Sequence, residues 1–453
     1  MQPDFSERLS KRIFMIALAL ALLSGAFLYG AAAYRSDLPP IPQLRVAYNI
    51  LVGGDAYLSE QRHHLQPSRG QGNGVTVNDM PNDGALVFMA GFFDDENQIR
   101  LIERDGTVVK KWSLDYFEHF PDPESRVCDV DSPLRVDTHG AHVTPRGEVV
   151  VIYEYCGSVK LDQCGELIWR ISKPTHHSLV PAETGGYWLL GRDKWLASEH
   201  PDRFPPFSTP ATEQFILEDT LLRVSENGQV TEEFSIPQLM RDNGLEALLT
   251  ANGASFGLNA VHRAELVHAN KAAELPSAIA AAFPLFAAGD LAISMREHNL
   301  VMVIDPIAKT VKWHQTGPWL RQHDPEFRAD GRLSIFNNNV YRTAYVEDQT
   351  DLSVPPTTNI IAVDPVSREV EVIFGERPGQ EMLSVIRGQH EIVGNDRLLV
   401  TEFDAGRVLE VDADGRILWQ YVNFYNQDFV GEITNAAVFP AEYFQVEWEK
   451  CDP

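Results

Sequence analysis

The chain has 453 residues, of which 44% are hydrophobic and 23% charged, enough apolar material for a large globular body. A formal net charge of −26, with no Lys/Arg cluster in the body, excludes nucleic acid as a partner, because phosphate binding needs a basic face. Four cysteines, Cys128, Cys156, Cys164 and Cys451, are too few for a disulfide scaffold and lack the CxxC spacing of a zinc site.

Arg8, Lys11 and Arg12 lie just ahead of Ile13 to Tyr34, a run of 22 residues without a charge. The run is long enough to cross a bilayer as a helix, and the basic residues ahead of it keep the N-terminus cytoplasmic. The competing reading is a cleaved signal peptide ending at "GAAAY", but the apolar core exceeds the usual length for one. The expectation is a cytoplasmic 1–12, a signal-anchor at 13–34 and a linker at 35–74, with the body on the periplasmic or extracellular side.

The body uses one motif six times. "LIERDGTVVKKW" (101–112), "VKLDQCGELIW" (159–169), "LLRVSENGQVTEEF" (221–234), "MVIDPIAKTVKW" (302–313), "IAVDPVSREVEVIF" (361–374) and "LEVDADGRILW" (409–419) are each a strand, a polar turn and a second strand closing on an aromatic. A further strand precedes each, such as "RGEVVVIYEY" (146–155) or "GRLSIFNNN" (331–339). Four-stranded units at irregular intervals read as blades of a propeller, whose closure removes exposed sheet edges. The predicted fold is all-β: a six-bladed β-propeller over 75–430, preceded by one transmembrane helix and followed by a tail, 431–453, packed on it. Blades open near residues 75, 139, 177, 268, 323 and 390, with inserted loops at 194–219, 235–260, 271–287 and 340–356. Cys128 and Cys156 fall at one end of one blade and Cys164 at the other, so the expected bridge is Cys128–Cys156.

His139, His177 and His323 each stand eight residues before a turn glycine, Gly147, Gly185 and Gly331. His268 and His390 open blades with looser phase, and Thr76 takes the place in the first. Seven residues past the same turn come Glu154, Arg192, Arg296, Asn338 and Glu402. Across a hairpin, the opening residue and the +7 residue lie at one end of the ladder, next to the central channel. The phase therefore gathers five histidines, Arg192, Arg296, Asn338 and two glutamates at one channel mouth. The other histidines, among them His63, His64 and His176, are out of phase and read as surface or packing. Imidazoles with guanidinium groups suit an oxyanion: arginine offers a planar fork of donors, and neutral histidine is a nucleophile or base. Metal catalysis ranks behind, because two arginines repel a cation.

"LVHANKAAELP" (266–276), "AGDLAISMREHNLVMVID" (288–305), "KWHQTGPWLRQHDPEFRADGRLSIFNNN" (312–339) and "RVLEVDADGRILWQYV" (407–422) resemble the PAPS-independent arylsulfotransferase family, most closely its shorter branch, a propeller behind an export segment. The resemblance implies sulfuryl transfer from an aryl sulfate to a phenol through a sulfohistidine, with no cofactor. It makes His323 the nucleophile, His268 the second histidine, Arg296 the sulfate-binding arginine and His177 the first histidine. His139, Arg192, Asn338, His390 and Asn270 are expected around the substrate. Asp324, directly after His323, departs from the family pattern. The alternative is a membrane-anchored propeller that only binds or scaffolds.

Overall fold

Runs such as Val149–Tyr153 and Leu300–Asp305 are β-branched or otherwise apolar at nearly every position and are buried almost throughout. Such runs form inner strands covered on both faces. In the computed structural model the described residues are 5–36, 39, 63–81, 83–200, 203, 215–249, 265–340, 345–346, 349–394, 397–448 and 451. Much of the expected loops 194–219 and 235–260, and most of the expected linker, lie outside them.

Six antiparallel sheets form a propeller. Blades two to five open on Thr138–Val143, Thr175–Pro181, Ala269–Glu274 and His323–Phe327, and blade six on Gln389–Val393. The first blade differs from expectation. Its innermost strand is Ile433–Phe439, paired with Leu86–Phe93, while Gly74–Asn78 adds a fifth, outer strand to blade six. The ring therefore extends past 430, and the segment expected as a tail supplies a channel-lining strand. Joining both ends of the chain to shared sheets closes the ring and leaves no free seam. Thr76 accordingly sits on the rim, where its hydroxyl accepts from Gln420 (2.7 Å).

Six apolar clusters fill the six interfaces between neighbouring blades. The aromatics that close the outer hairpins tie these interfaces. Trp112 Nε1 donates to the Asp162 carbonyl of the next blade (3.0 Å) and Trp169 Nε1 to that of Glu226 (3.0 Å). Trp419 Nε1 donates from the last blade to Arg104 of the first (2.8 Å). Cys128 and Cys156 are bonded as expected; Cys164 pairs with Cys451, pinning the C-terminal segment to blade two.

The N-terminal helix, Phe5–Ser36, belongs to a unit, residues 1–62, separate from the propeller. Within it Leu9–Ala33, 25 residues, is long and apolar enough to cross a membrane, which suggests a single-pass anchor.

Candidate active site

Five of the six innermost strands carry a bulge near their start, the first blade's between Ile433 and Asn435. Pairing slips between Thr138 and Ala141, His176 and Leu179, Ala269 and Lys271, and His323 and Pro325. A bulge re-aims the side chain beside it, and His177 (φ 54°), His268 (φ 51°) and Asp324 (φ 52°) take the left-handed backbone such a turn demands. The rings then meet on the axis. Centroids lie 4.6 Å apart for His139 and His177, 4.9 Å for His177 and His268, and 6.4 Å for His177 and His323, which stack across the channel.

The +7 residues behave as partners in these blades. His139 Nδ1 lies 2.9 Å from Glu154 Oε2, Arg296 Nη2 3.2 Å from His268 Nδ1, and His323 Nδ1 2.7 Å from Asn338 Oδ1. Glu154 is shared, since His177 approaches it through Nδ1 (3.0 Å) and its backbone N–H (2.9 Å). Burial opposes ionisation of Glu154, but the two imidazoles hold its carboxyl well below the usual range.

Asn338 decides the state of His323. Its Nδ2 donates to the carbonyls of Ser384 (2.8 Å) and Arg387 (2.9 Å), so Oδ1 must face the ring and accept from Nδ1–H. The lone pair is left on Nε2, which is buried without a hydrogen-bond partner. Burial first, then the Arg296 charge, push this imidazole down to about 3. The same two causes hold His268 well below its ordinary value, and burial does so for His177 against the pull of Glu154. All three rings are therefore neutral at neutral pH. A cavity of ≈ 320 Å³ opens onto His177, His323, Arg296 and Glu154.

Other expected residues sit elsewhere. Blade six pairs Gln389–Val393 with Arg397–Glu402 without a slip, so nothing turns His390 to the mouth. It is buried between Ser334 Oγ (2.7 Å) and Asp324 Oδ2 (3.1 Å). Asn395, the turn residue that sets its phase, lies outside the described residues. Arg192 stays in the ladder because Tyr187–Leu196 is ten residues long and runs in register with Phe215–Val224; Asp219 holds it from Oδ1 (2.7 Å). Glu402 is bound by Arg407 and Arg69, away from the ring. Asn338 stands behind His323, fully buried, where it cannot touch a substrate. Asp324 turns from His323 to Lys271 (Oδ1 to Nζ, 2.7 Å) and His390. Asn270 lies at the neighbouring constriction, its Nδ2 donating to the Gln322 carbonyl (2.8 Å) and its Oδ1 buried without a partner.

Sequence phase missed part of the cavity wall. His63 lines it, contrary to the expectation of a surface or packing role, together with Arg135, Asp137, Tyr155 and Arg387. The spacing Asp137-x-His139 was the available signal, since alternate residues of an extended segment share a face; Arg135 closes the 3-10 turn Pro133–Arg135 and gave none. Among the described residues, His139, Glu154 and His177 offer ligand atoms within 4.8 Å of one another, as do His64, Asp137 and Glu432. Arg387 stands near both triplets; the contacts of His139 and His177 to Glu154 and of His64 to Glu432 are of hydrogen-bond length, while His64 lies 3.9 Å from Asp137.

A closed propeller with an imidazole–guanidinium pocket on its axis is the scaffold; the particular family follows from the sequence match. The Arylsulfotransferase (ASST) profile matches residues 139–424, more than half of the chain, and the protein belongs to that family. Membership points to a transferase of the arylsulfotransferase kind and implies aryl sulfates and phenols as substrates. No curated protein matches the sequence. Similar solved structures include a protein of unknown function from Bacteroides caccae (11% identity, 78% of this chain and 98% of that one, TM-score 0.47). A virginiamycin B lyase from Staphylococcus aureus (10%, 80% and 88%, 0.37) and a nidogen/laminin complex (10%, 79% and 98%, 0.39) are also similar. Likenesses of this size carry no argument.

Proposed function

We propose that the protein transfers a sulfuryl group from an aryl sulfate to a phenol by way of a sulfohistidine on His323. One observation carries this reading: a buried, neutral imidazole whose Nδ1 is locked by Asn338, whose buried Nε2 has no partner, and which lines a cavity together with Arg296. Nε2 attacks sulfur, the S–O(aryl) bond breaks, and the phenolate leaves. In the second half the acceptor oxygen attacks sulfur, the N–S bond breaks and His323 is restored. Arg296, whose Nε is also without a partner, supplies donors to the non-bridging oxygens, where charge spreads in a loose transition state. His177 presents Nε2 as the base for the acceptor's proton, with Glu154 on its other nitrogen stabilising the imidazolium formed. That proton is then available to the next departing phenolate. A cavity of ≈ 320 Å³, at the small end for ligand sites, suits one aromatic ring at a time, as a ping-pong cycle requires.

The helix Phe5–Ser36 is read as an anchor with its N-terminus in the cytoplasm and the propeller outside. The flanking Arg8, Lys11 and Arg12 support this orientation, and two disulfides suit an oxidising compartment.

The test is turnover of a chromogenic aryl sulfate with a phenol acceptor. His323→Ala should abolish transfer, and donor alone should leave an acid-labile mass increment on the wild-type peptide holding His323. Normal turnover by His323→Ala would falsify the mechanism; an increment on His177 or His268 would move the nucleophile.

A further inference from the structure

The cavity has an outer half that the sulfuryl chemistry does not use. Three of its wall residues, His63, Arg135 and Asp137, lie ahead of the segment that matches the family. The fourth, Arg387, sits one step out from the nucleophile, since its carbonyl accepts from the same Asn338 amide that orients His323. Asp137 sits one step out from Glu154, whose backbone N–H donates to the Asp137 carbonyl (2.8 Å).

Arg387 is the group that needs explaining. It is only 9% exposed, and its guanidinium lies over the Phe403 ring (4.7 Å). Nη2 donates to Asp137, but Nη1 is buried with no hydrogen-bond partner, the Glu432 carboxylate standing 3.7 Å away. A buried cation with an unused donor beside a cavity is costly unless a ligand completes it. His63 is tied to Asp137 Oδ1 through Nε2 (2.7 Å), with nearly half its side chain exposed. Arg135 is largely exposed and pairs with Asp131 (3.3 Å), a surface pair of small worth.

We propose that this outer half is a second anion subsite, formed by Arg387, Arg135 and His63, which takes the carboxylate of a phenolic acid while the ring's hydroxyl or sulfate points inward to His323. The assignment rests on the transferase reading and names its substrate class. In the outer half, Arg387, Arg135 and protonated His63 stand against Asp137 and, behind Arg387, Glu432, with Glu154 at the inner boundary. Asp137 keeps His63 protonated through neutral pH, holding it up to about 9. The cavity wall also carries Arg296, so four lining cations face two lining carboxylates, Asp137 and Glu154, and a single added carboxylate meets surplus positive charge. Tyr155 and Ile386, on the wall between the two ends, offer flat and apolar surface to the ring.

The experiment compares 4-hydroxybenzoate with its neutral isostere 4-hydroxybenzamide as acceptors for the full-length enzyme. A charge-assisted contact should favour the carboxylate roughly tenfold or more in kcat/KM. Arg135→Ala and His63→Gln, both partly exposed positions, should bring the ratio towards one; Arg387→Ala is avoided because it strips a buried ion pair. A wild-type ratio near one, with transfer to both acceptors, overturns the subsite and leaves the transferase intact. Should neither acceptor be sulfated, the same ratio is read from calorimetric binding, and equal affinities overturn the subsite. A third arm, 4-hydroxybenzenesulfonate, tests the assignment to carboxylate: preference for the sulfonate over the benzoate refutes it.

Discussion

Replacing Asn338 tests how His323 is prepared for the proposed attack. Its side chain makes three buried hydrogen bonds: to His323 Nδ1 (2.7 Å), the Ser384 carbonyl (2.8 Å) and the Arg387 carbonyl (2.9 Å). Asn338→Ala leaves the His323 Nδ1–H donor and the Arg387 carbonyl unpaired, at about 1–3 kcal/mol for each that water cannot reach, while the Ser384 carbonyl keeps the Thr358 hydroxyl (3.4 Å). Beyond this cost in stability, the imidazole proton is free to move to Nε2, which removes the attacking lone pair, and the ring is free to turn. Loss of the partner that orients a catalytic imidazole typically costs about 10–100-fold, by analogy with metal-bound histidines. Asn338→Asp separates orientation from mere packing. A carboxylate still accepts from Nδ1–H, but it favours the imidazolium, which the wild-type environment holds down to about 3. The acid limb of kcat/KM should therefore rise by a unit or more, because the nucleophile is lost as pH falls through its own pKa. The assay is a pH–rate profile on variants whose circular dichroism matches wild type. An unshifted acid limb in Asn338→Asp, with Asn338→Ala within about twofold of wild type, would refute the argument.

Arg296→Lys should lose on the order of 100-fold in kcat despite keeping its charge, because an ammonium cannot reproduce a planar fork; steady-state kinetics with an aryl sulfate reads this. Cys128→Ser should lower stability by about 3–4 kcal/mol in the loop-entropy account for a separation of 28 residues, measured by urea unfolding. Glu391 lies in the channel, where burial and then the Glu326 charge push it up to about 8, although the Val438 N–H pulls the other way. Its folded value exceeds its ordinary 4.5, so the folded state holds the extra proton and stability falls as pH rises between those values. Glu391→Gln should match wild type near pH 4 and exceed it, by a few kcal/mol at most, above about pH 8; thermal melts across that range decide.

The six-fold repeat was legible because each outer hairpin closes on an aromatic that must reach the next blade. Trp112, Trp169 and Trp419 do so through their indole N–H. Closure was not legible. A ring sealed by strands from opposite ends of the repeat region gives no local signal, so the strand near residue 75 reads as opening the first blade and Ile433 as part of a tail. Phase located part of the site for a physical reason. The opening histidine and the residue seven past the turn face each other only where the second strand is short, five residues, and the opening strand is bulged. Blades two, four and five satisfy this, giving His139–Glu154, His268–Arg296 and His323–Asn338.

Where either condition fails, the same residue types serve the scaffold. Blade six has no bulge, and His390 becomes a bridge between Ser334 and Asp324. Blade three extends its second strand, and Arg192 neutralises Asp219 within the ladder. The outer wall eluded phase altogether, since His63, Arg135 and Asp137 lie on segments outside any blade repeat and reach the mouth through tertiary contacts alone. A strap of Leu65–Pro67 paired to Phe429–Gly431 holds His63 there, and the ion pair with Asp137 completes the attachment. The division has a chemical logic. Residues on the bulged inner strands share a rigid frame and, in the proposed cycle, meet the sulfuryl group that passes between every donor and acceptor. Residues on connecting segments can change without disturbing a blade, and they meet the part of the substrate that varies. If that logic holds, exchanging residues 63–67 and 133–137 for those of another family member should change which phenol is preferred. The profile of His323-dependent turnover against pH should stay where it was.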